Sequence, residues 1–230
     1  MKTVKTNSYA KVNLGLKILN KRLDGYHNIS TIFQEIDLYD ELIVSKNING
    51  CQFSSNVNWL YNDQNNLCVI AYNYMKNIYD IKGIDIFLKK NISKGSGLGS
   101  GSSNAAAVLK SISKIYDLNV SDKDLIEIGL KIGADVPFFI KGGTQIGEGI
   151  GEELRSLKSA IKGWYLIITP DITVNTKWAY SQFKNILDNG TAPTKFSDLF
   201  SDKVVNLDTI KFFENDFESV VFPTYPEIGA

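Results

Sequence analysis

Ser93-Lys94-Gly95-Ser96-Gly97-Leu98-Gly99-Ser100-Gly101-Ser102-Ser103 holds five serines and four glycines in eleven residues, and its flanks decide what it is. Upstream, Ile84–Leu88 alternates as a strand does; downstream, Val108, Leu109, Ile112, Ile115 and Tyr116 line one face of a helix. The stretch therefore joins a strand to a helix N-terminus. Successive backbone N–H groups and the positive end of a helix dipole favour an anion at such a point, and phosphate is the natural ligand. Glycines let the backbone approach phosphoryl oxygens without a Cβ clash, while Ser102 and Ser103 offer hydroxyls to a phosphate or to Mg²⁺. The competing reading is a flexible connector with no ligand. Neither GxxxxGK[ST] nor GxGxxG followed by a ribose-binding acid fits the spacing, and HRD and DFG are absent, so Walker, Rossmann and protein-kinase readings fail.

Outward from the loop, Ala10–Leu19 and Leu38–Val44 read as strands separated by the turn residues Leu23-Asp24-Gly25. Leu67, Ile70, Ala71, Tyr74 and Ile78 have helical spacing, with asparagines just upstream to cap the helix. Ser121 and Asp124 form a capping-box pattern ahead of Leu125, Ile128 and Ile132, and Gly133 ends that helix. Trp164–Ile168 is a continuous apolar run stopped by Pro170, as expected of a strand buried on both faces that opens a second sheet. Glycines at 142, 143, 147, 149 and 151 mark the best boundary, placed near 155.

Three constellations could carry chemistry. Gly133-Ala134-Asp135-Val136-Pro137 sets a lone carboxylate between a helix end and an apolar stretch; it is either a general base or a turn aspartate bonded to its own backbone. Lys11 and Asn13 share one face of the first strand, which is either solvated or turned to a site where Lys11 would keep Asp135 ionised. Asp24-Gly25-Tyr26-His27 is a turn with an aromatic ring and the single imidazole, able to stack on a base and bond its edge, or an incidental surface turn.

The composition bounds these readings. The 230 residues are 43% hydrophobic and 22% charged, enough for a packed core in one or two domains. Twenty-five basic residues balance twenty-five acidic ones, so no basic field collects nucleic acid or anionic lipid. The longest apolar run, Leu67–Tyr72, is far short of the roughly 20 residues of a membrane span, and the N-terminus lacks a secretory apolar stretch; the expectation is a cytoplasmic protein. Cys51 and Cys68 form no CxxC pair and read as reduced. One histidine excludes zinc sites needing two imidazoles and leaves room for at most one Ser-His-Asp triad.

Ser8-Tyr9-Ala10-Lys11-Val12-Asn13-Leu14, Asp24–His27, Gly95–Ala106 and Gly133–Pro137, in this order, resemble the GHMP kinase superfamily. Within it they are most similar to the 4-diphosphocytidyl-2-C-methyl-D-erythritol kinases of non-mevalonate isoprenoid synthesis. The likeness runs from about Ser8 to about Glu218 and includes Trp164-Tyr165-Leu166 and Asn215-Asp216. It implies an α/β (α+β two-layer) GHMP kinase fold, with a ribosomal-protein-like ATP-binding domain over 1–155. An incomplete ferredoxin-like domain over 156–230 would follow.

The implied reaction moves the γ-phosphoryl of ATP, with Mg²⁺, to the 2-hydroxyl of a cytidine-diphosphate-linked methylerythritol. By matching positions Lys11 and Asp135 are the catalytic pair, with Asp135 as general base. Ser93, Lys94, Gly95, Ser96, Gly97, Leu98, Gly99, Ser100, Gly101, Ser102 and Ser103 wrap the ATP phosphates, and Ser102 or Ser103 is the candidate Mg²⁺ ligand. Tyr26 and His27 hold the cytosine end, Asn13 sits near the polyol, and Thr176 and Tyr180 line the cytidine side. The partner is this small molecule, without nucleic acid or membrane, and the chain is a monomer or homodimer.

Two departures stand out. Ser93-Lys94 replaces the family's proline and apolar residue at the start of the loop, which makes it more positive. No match to the family's third glycine-rich motif follows Glu218, so the sequence reads as a fragment or a natural truncation with an exposed sheet edge. The rivals are a homoserine or mevalonate type of GHMP kinase, which would share the loop but not Asp24–His27 with Gly133–Pro137, and a nucleotide-binding module without turnover.

Overall fold

The computed structural model describes residues 2–60, 63, 65–157, 163–183, 194–200, 206, 209 and 213–229. The chain falls into two compact units. The first is Met1–Lys11 with Ile36–Gly142, and the second is Val12–Glu35 with Gly143–Ala230. The boundary expected near 155 divides the chain along its length, whereas each compact unit is discontinuous. The reason is that the two long strands β1 (Thr3–Lys21) and β2 (His27–Asn47) are each shared between the units. β1 pairs with β2.

In the first unit, β2 from Glu41 to Asn47 pairs antiparallel with β4 (Gly83–Lys89), and β4 pairs parallel with β3 (Gly50–Ser55). The two strands joined in parallel are separated by α1 (Leu67–Ile78), as a parallel pair requires a crossover. The helix starts where expected: the side chain of Asn66 accepts from Cys68 N at 3.0 Å. α2 (Ser100–Ile115) is the centre of the helical layer and packs against α1, α3 (Asp122–Ile132) and α4 (Val136–Lys141). Val108, Leu109, Ile112 and Ile115 are buried, as their spacing foretold, while Tyr116 is half-buried; Ala105, Ala106 and Ala107 are buried beside them. The Ser121–Asp124 capping box opens α3 and Gly133 closes it.

α3 and α4 approach closely because position 129 carries no side chain: a Cβ on Gly129 would lie 2.9 Å from Val136 Cγ1. Lys110 of α2 donates to Phe139 O at 2.9 Å and so satisfies a carbonyl in the last turn of α4. Both cysteines are free; burial pushes the Cys51 thiol up to about 11 and that of Cys68 up to about 12, which makes both unreactive.

In the second unit, β2 from Thr31 to Gln34 pairs antiparallel with β5 (Thr144–Glu148), which pairs with β6 (Glu153–Ser156). Ile32 and Ile146 pack with Phe196 and Phe200 around α6 (Phe196–Leu199). A second cluster joins Leu16, Ile18, Ile29 and Phe183 at the end of α5 (Thr176–Ser181). Asn215-Asp216 ties into it: Leu16 bridges Asn215 in parallel, and Asp216 Oδ2 accepts Ile18 N at 2.7 Å. α7 (Glu218–Thr224) and α8 (Pro226–Gly229) follow.

Trp164–Ile168 departs from its expected form. Residues 164–170 have no regular structure, and Trp164, Leu166 and Ile168 are 100%, 87% and 80% exposed. An apolar run becomes a strand only where a neighbour takes its backbone hydrogen bonds, and among the described residues no strand pairs with it. No helix of the described residues is long and apolar enough to cross a membrane.

Candidate active site

Between β4 and α2 the loop turns on three glycines in the left-handed region, Gly95, Gly97 and Gly99, with φ of 73°, 72° and 70°. Ser93, Lys94, Gly95, Gly97 and Gly101 are exposed, Ser96, Gly99, Ser100 and Ser102 are half-buried, and Leu98 and Ser103 are buried. Ser96 Oγ donates to Ser93 O at 2.9 Å and tightens the first turn. Gly99 is the N-cap of α2 and supplies no side chain to it, so the N–H groups of Ser100, Gly101 and Ser102 are left for another acceptor. The 16-residue helix adds its dipole at that point. Lys94 Nζ lies 4.9 Å from the centre of the Trp59 ring, a cation held over an aromatic face beside the loop.

The floor of the loop is β1. Lys11 N donates to Leu98 O at 3.0 Å, and a Cβ on Gly99 would come within 3.2 Å of Lys11 Cε. Lys11 is 7% exposed and does not lie on a solvated face. Its Nζ is 3.9 Å from Asp135 Oδ2. Burial pushes the Lys11 pKa below its ordinary value, and the Asp135 charge pulls it back up. Asp135 is the N-cap of α4 but does not spend its side chain on capping, so the carboxylate faces the ammonium while remaining 36% exposed. A reachable carboxylate beside a desolvated cation can take a proton from an alcohol and hold charge as it develops.

The second unit holds the other expected residues. His27 is buried and stacks on Tyr180, with centroids 5.4 Å apart and planes 17° apart. Tyr180 in turn meets Phe217 edge-on at 4.9 Å. His27 Nε2 is buried without a hydrogen-bond partner among the described residues. Burial, helped by the Lys21 charge, lowers the His27 pKa. Asn13 Nδ2 donates to Thr31 Oγ1 at 2.7 Å, and that hydroxyl donates to Gly15 O at 2.6 Å, which fixes the amide on β1. Tyr26 and Thr176 are exposed, the first on the turn ordered by Asp24 Oδ1 and the second at the start of α5.

The structure thus joins Lys11 to Asp135 and His27 to Tyr180. It also reveals a carboxylate that sequence reasoning passed over, Asp40, whose partners lie 50 to 64 positions away and carry no short-range signal.

Residues 66–143, the stretch that holds the glycine-rich loop and Asp135, match the GHMP kinases N terminal domain. A homoserine kinase from Cytophaga hutchinsonii has the same fold, with a TM-score of 0.55 at 19% identity over 79% of this chain and 60% of that one. A crystal structure of 4-(cytidine 5'-diphospho)-2C-methyl-D-erythritol kinase gives a TM-score of 0.75 at 29% identity, covering 97% of this chain and 79% of that one. A 4-diphosphocytidyl-2-C-methyl-D-erythritol kinase from Clostridium beijerinckii is 38% identical over 219 residues, 95% of this chain and 77% of that protein. The chain belongs to the 4-diphosphocytidyl-2-C-methyl-D-erythritol kinase family.

Proposed function

We propose that the protein transfers the γ-phosphoryl group of ATP to the 2-hydroxyl of 4-diphosphocytidyl-2-C-methyl-D-erythritol, in the cytoplasm. The observation that carries this reading is Lys11, tied through its N–H to Leu98 O and packed under Gly99 of the loop, with the Asp135 carboxylate 3.9 Å from its ammonium. Residues Ser93 to Ser103 receive the phosphates through backbone N–H groups and serine hydroxyls, and Lys94 adds positive charge at the rim. His27 and Tyr180, with Tyr26 and Thr176, are assigned to the cytidine end, and Asn13 to the polyol. The unpartnered Nε2 of a neutral His27 supports that assignment, since it can accept a hydrogen bond from an exocyclic amine.

No group of three or more His, Cys, Asp or Glu residues able to hold a metal occurs among the described residues. Mg²⁺ would be carried mainly by phosphates and water, with Ser102 or Ser103 as the protein's contribution. When bound, the ion would neutralise charge on the phosphates.

The protein's own steps are few. Asp135 Oδ2 accepts the proton of the substrate 2-hydroxyl as its oxygen bonds to the γ-phosphorus and the bond to the β,γ-bridging oxygen breaks, releasing ADP. Lys11 stabilises charge on the transferring group. The test is ADP release from Mg-ATP with diphosphocytidyl-methylerythritol, homoserine or mevalonate as acceptor. Turnover with the cytidine substrate alone, lost in Asp135→Ala, supports the reading; turnover with homoserine or mevalonate instead sinks it.

A further inference from the structure

Asp40 on β2 is completely buried, and its hydrogen-bonding capacity is spent on the two ends of the phosphate loop. Oδ1 accepts Asn91 N at 2.8 Å and Ile92 N at 2.9 Å. Oδ2 accepts Asn104 Nδ2 at 3.1 Å and the ammonium of Lys90. A carboxylate offers about four acceptor sites, and these four donors fill them. Lys90, whose side chain is 5% exposed, also donates to Ser100 Oγ at 3.0 Å. Asn91 and Ile92 lie just before the loop; Ser100 and Asn104 lie in the first turns of α2 just after it.

A buried ion pair contributes little to stability compared with apolar residues of the same volume, because desolvation offsets its Coulomb attraction. This one is placed where it constrains a segment instead. Residues 93–99 carry three left-handed glycines, so the loop has many alternative conformations unless its ends are fixed.

We propose that Asp40 is a positioning residue for the nucleotide: it clamps Asn91-Ile92 and, through Asn104 and Lys90, the start of α2, and so keeps the intervening loop in its phosphate-binding shape. The inference rests on the kinase reading for the identity of the alcohol, though not for the clamp. A loop that is competent only part of the time weakens apparent affinity by the competent fraction, and leaves the bound state intact.

The experiment compares the full chain with Asp40→Asn and Asn104→Leu, measuring kcat, both KM values, ADP affinity by calorimetry, thermal stability, and amide exchange over residues 93–99. Asp40→Asn presents donors to Lys90 and Asn104 in place of an acceptor, and should raise KM for ATP and Kd for ADP about tenfold or more. Asn104→Leu removes only the tie to α2 and should raise both about threefold. In each, exchange over 93–99 should quicken while KM for the alcohol and kcat at saturating ATP stay within about twofold.

Folded variants with unchanged ADP affinity and unchanged exchange would overturn the clamp, as would a fall in kcat at constant KM for ATP. If Asp40→Asn does not fold, Asn104→Leu decides by the same readings. A wild-type chain that binds ADP but phosphorylates no cytidine substrate would defeat the substrate assignment while the calorimetry and exchange still judge the clamp; one that binds no nucleotide overturns both.

Discussion

Lys11 and Asp135 face each other at 3.9 Å across unlike surroundings: the Lys11 side chain is 8% exposed and the Asp135 side chain 36%. Burial acts on the cation, and water still reaches the carboxylate. The pair is therefore poorly suited to holding the fold together and well suited to presenting a carboxylate beside a desolvated cation.

Lys11→Met keeps most of the volume and removes a charge that burial penalises. Turnover should fall by about 10²–10³-fold, the cost of deleting a charge-stabilising group. The melting temperature should stay level or rise, because Asp135 retains contact with solvent. Calorimetric melting alongside kcat checks both, and a large drop in melting temperature would make Lys11 structural.

The lowered pKa of Lys11 also has a pH signature. Unfolded, the group keeps its proton up to the ordinary lysine range near 10.5; folded, it releases it earlier. Between the two values the unfolded chain binds more protons, so this group's contribution makes stability rise with pH across that window. Urea unfolding from pH 8 to 10.5 should show that slope in the wild type and a smaller one in Lys11→Met. The rate should begin to fall on the alkaline side below pH 10.5.

Asp135→Asn preserves shape and removes the proposed base. We expect kcat to drop by about 10²–10⁴-fold, the usual worth of positioned proton transfer, with KM for ATP little altered. Steady-state kinetics with each substrate varied in turn separates the two, and a change confined to KM would rule out the base role.

Gly99 and Gly95 have the same backbone sign and different surroundings. At Gly99, φ is 70° and a Cβ would sit 2.9 Å from Phe139 Cζ and 3.2 Å from Lys11 Cε; at Gly95, φ is 73° and a Cβ meets nothing. Gly95→Ala should cost about 1–2 kcal/mol for the left-handed backbone, and Gly99→Ala about 1–3 kcal/mol more for overpacking against Lys11 and Phe139. Urea titrations give the two costs, and equal values would contradict the contact.

His27 is held neutral by burial and by Lys21. Its folded pKa lies below the ordinary 6.5, so as pH falls through 6.5 toward that lower value the unfolded chain binds the proton first and stability is lost. His27→Gln should flatten the acid side of the stability curve. KM for the cytidine substrate should rise in the wild type only as pH falls through that lowered folded value, where a charged imidazole can no longer accept a hydrogen bond.

Much of this was legible because the signals are local. Asn66 and Ser121 announce helix starts by side-chain chemistry within three residues, and Val108, Leu109, Ile112 and Ile115 announce a face by spacing. The order of the Lys11, Asp24–His27, Gly95–Ala106 and Gly133–Pro137 segments points to the same family as the 38% identity to the Clostridium beijerinckii kinase. Trp164–Ile168 misled for the opposite reason: hydrophobicity records what a segment could bury, and whether a partner strand meets it is decided elsewhere in the chain.

By itself, then, the sequence determined the loop, its helix, the caps and the identity of the residues offered to chemistry, because each depends on neighbours within a turn or two. Only the tertiary structure decided that Lys11 is buried rather than solvated, that Asp135 leaves its own helix uncapped to face it, and that His27 lies flat on Tyr180. Asp40 shows why most clearly. Its worth comes from filling all four acceptor sites with donors 50 to 64 residues away, and no local pattern encodes a distance that the chain closes only by folding.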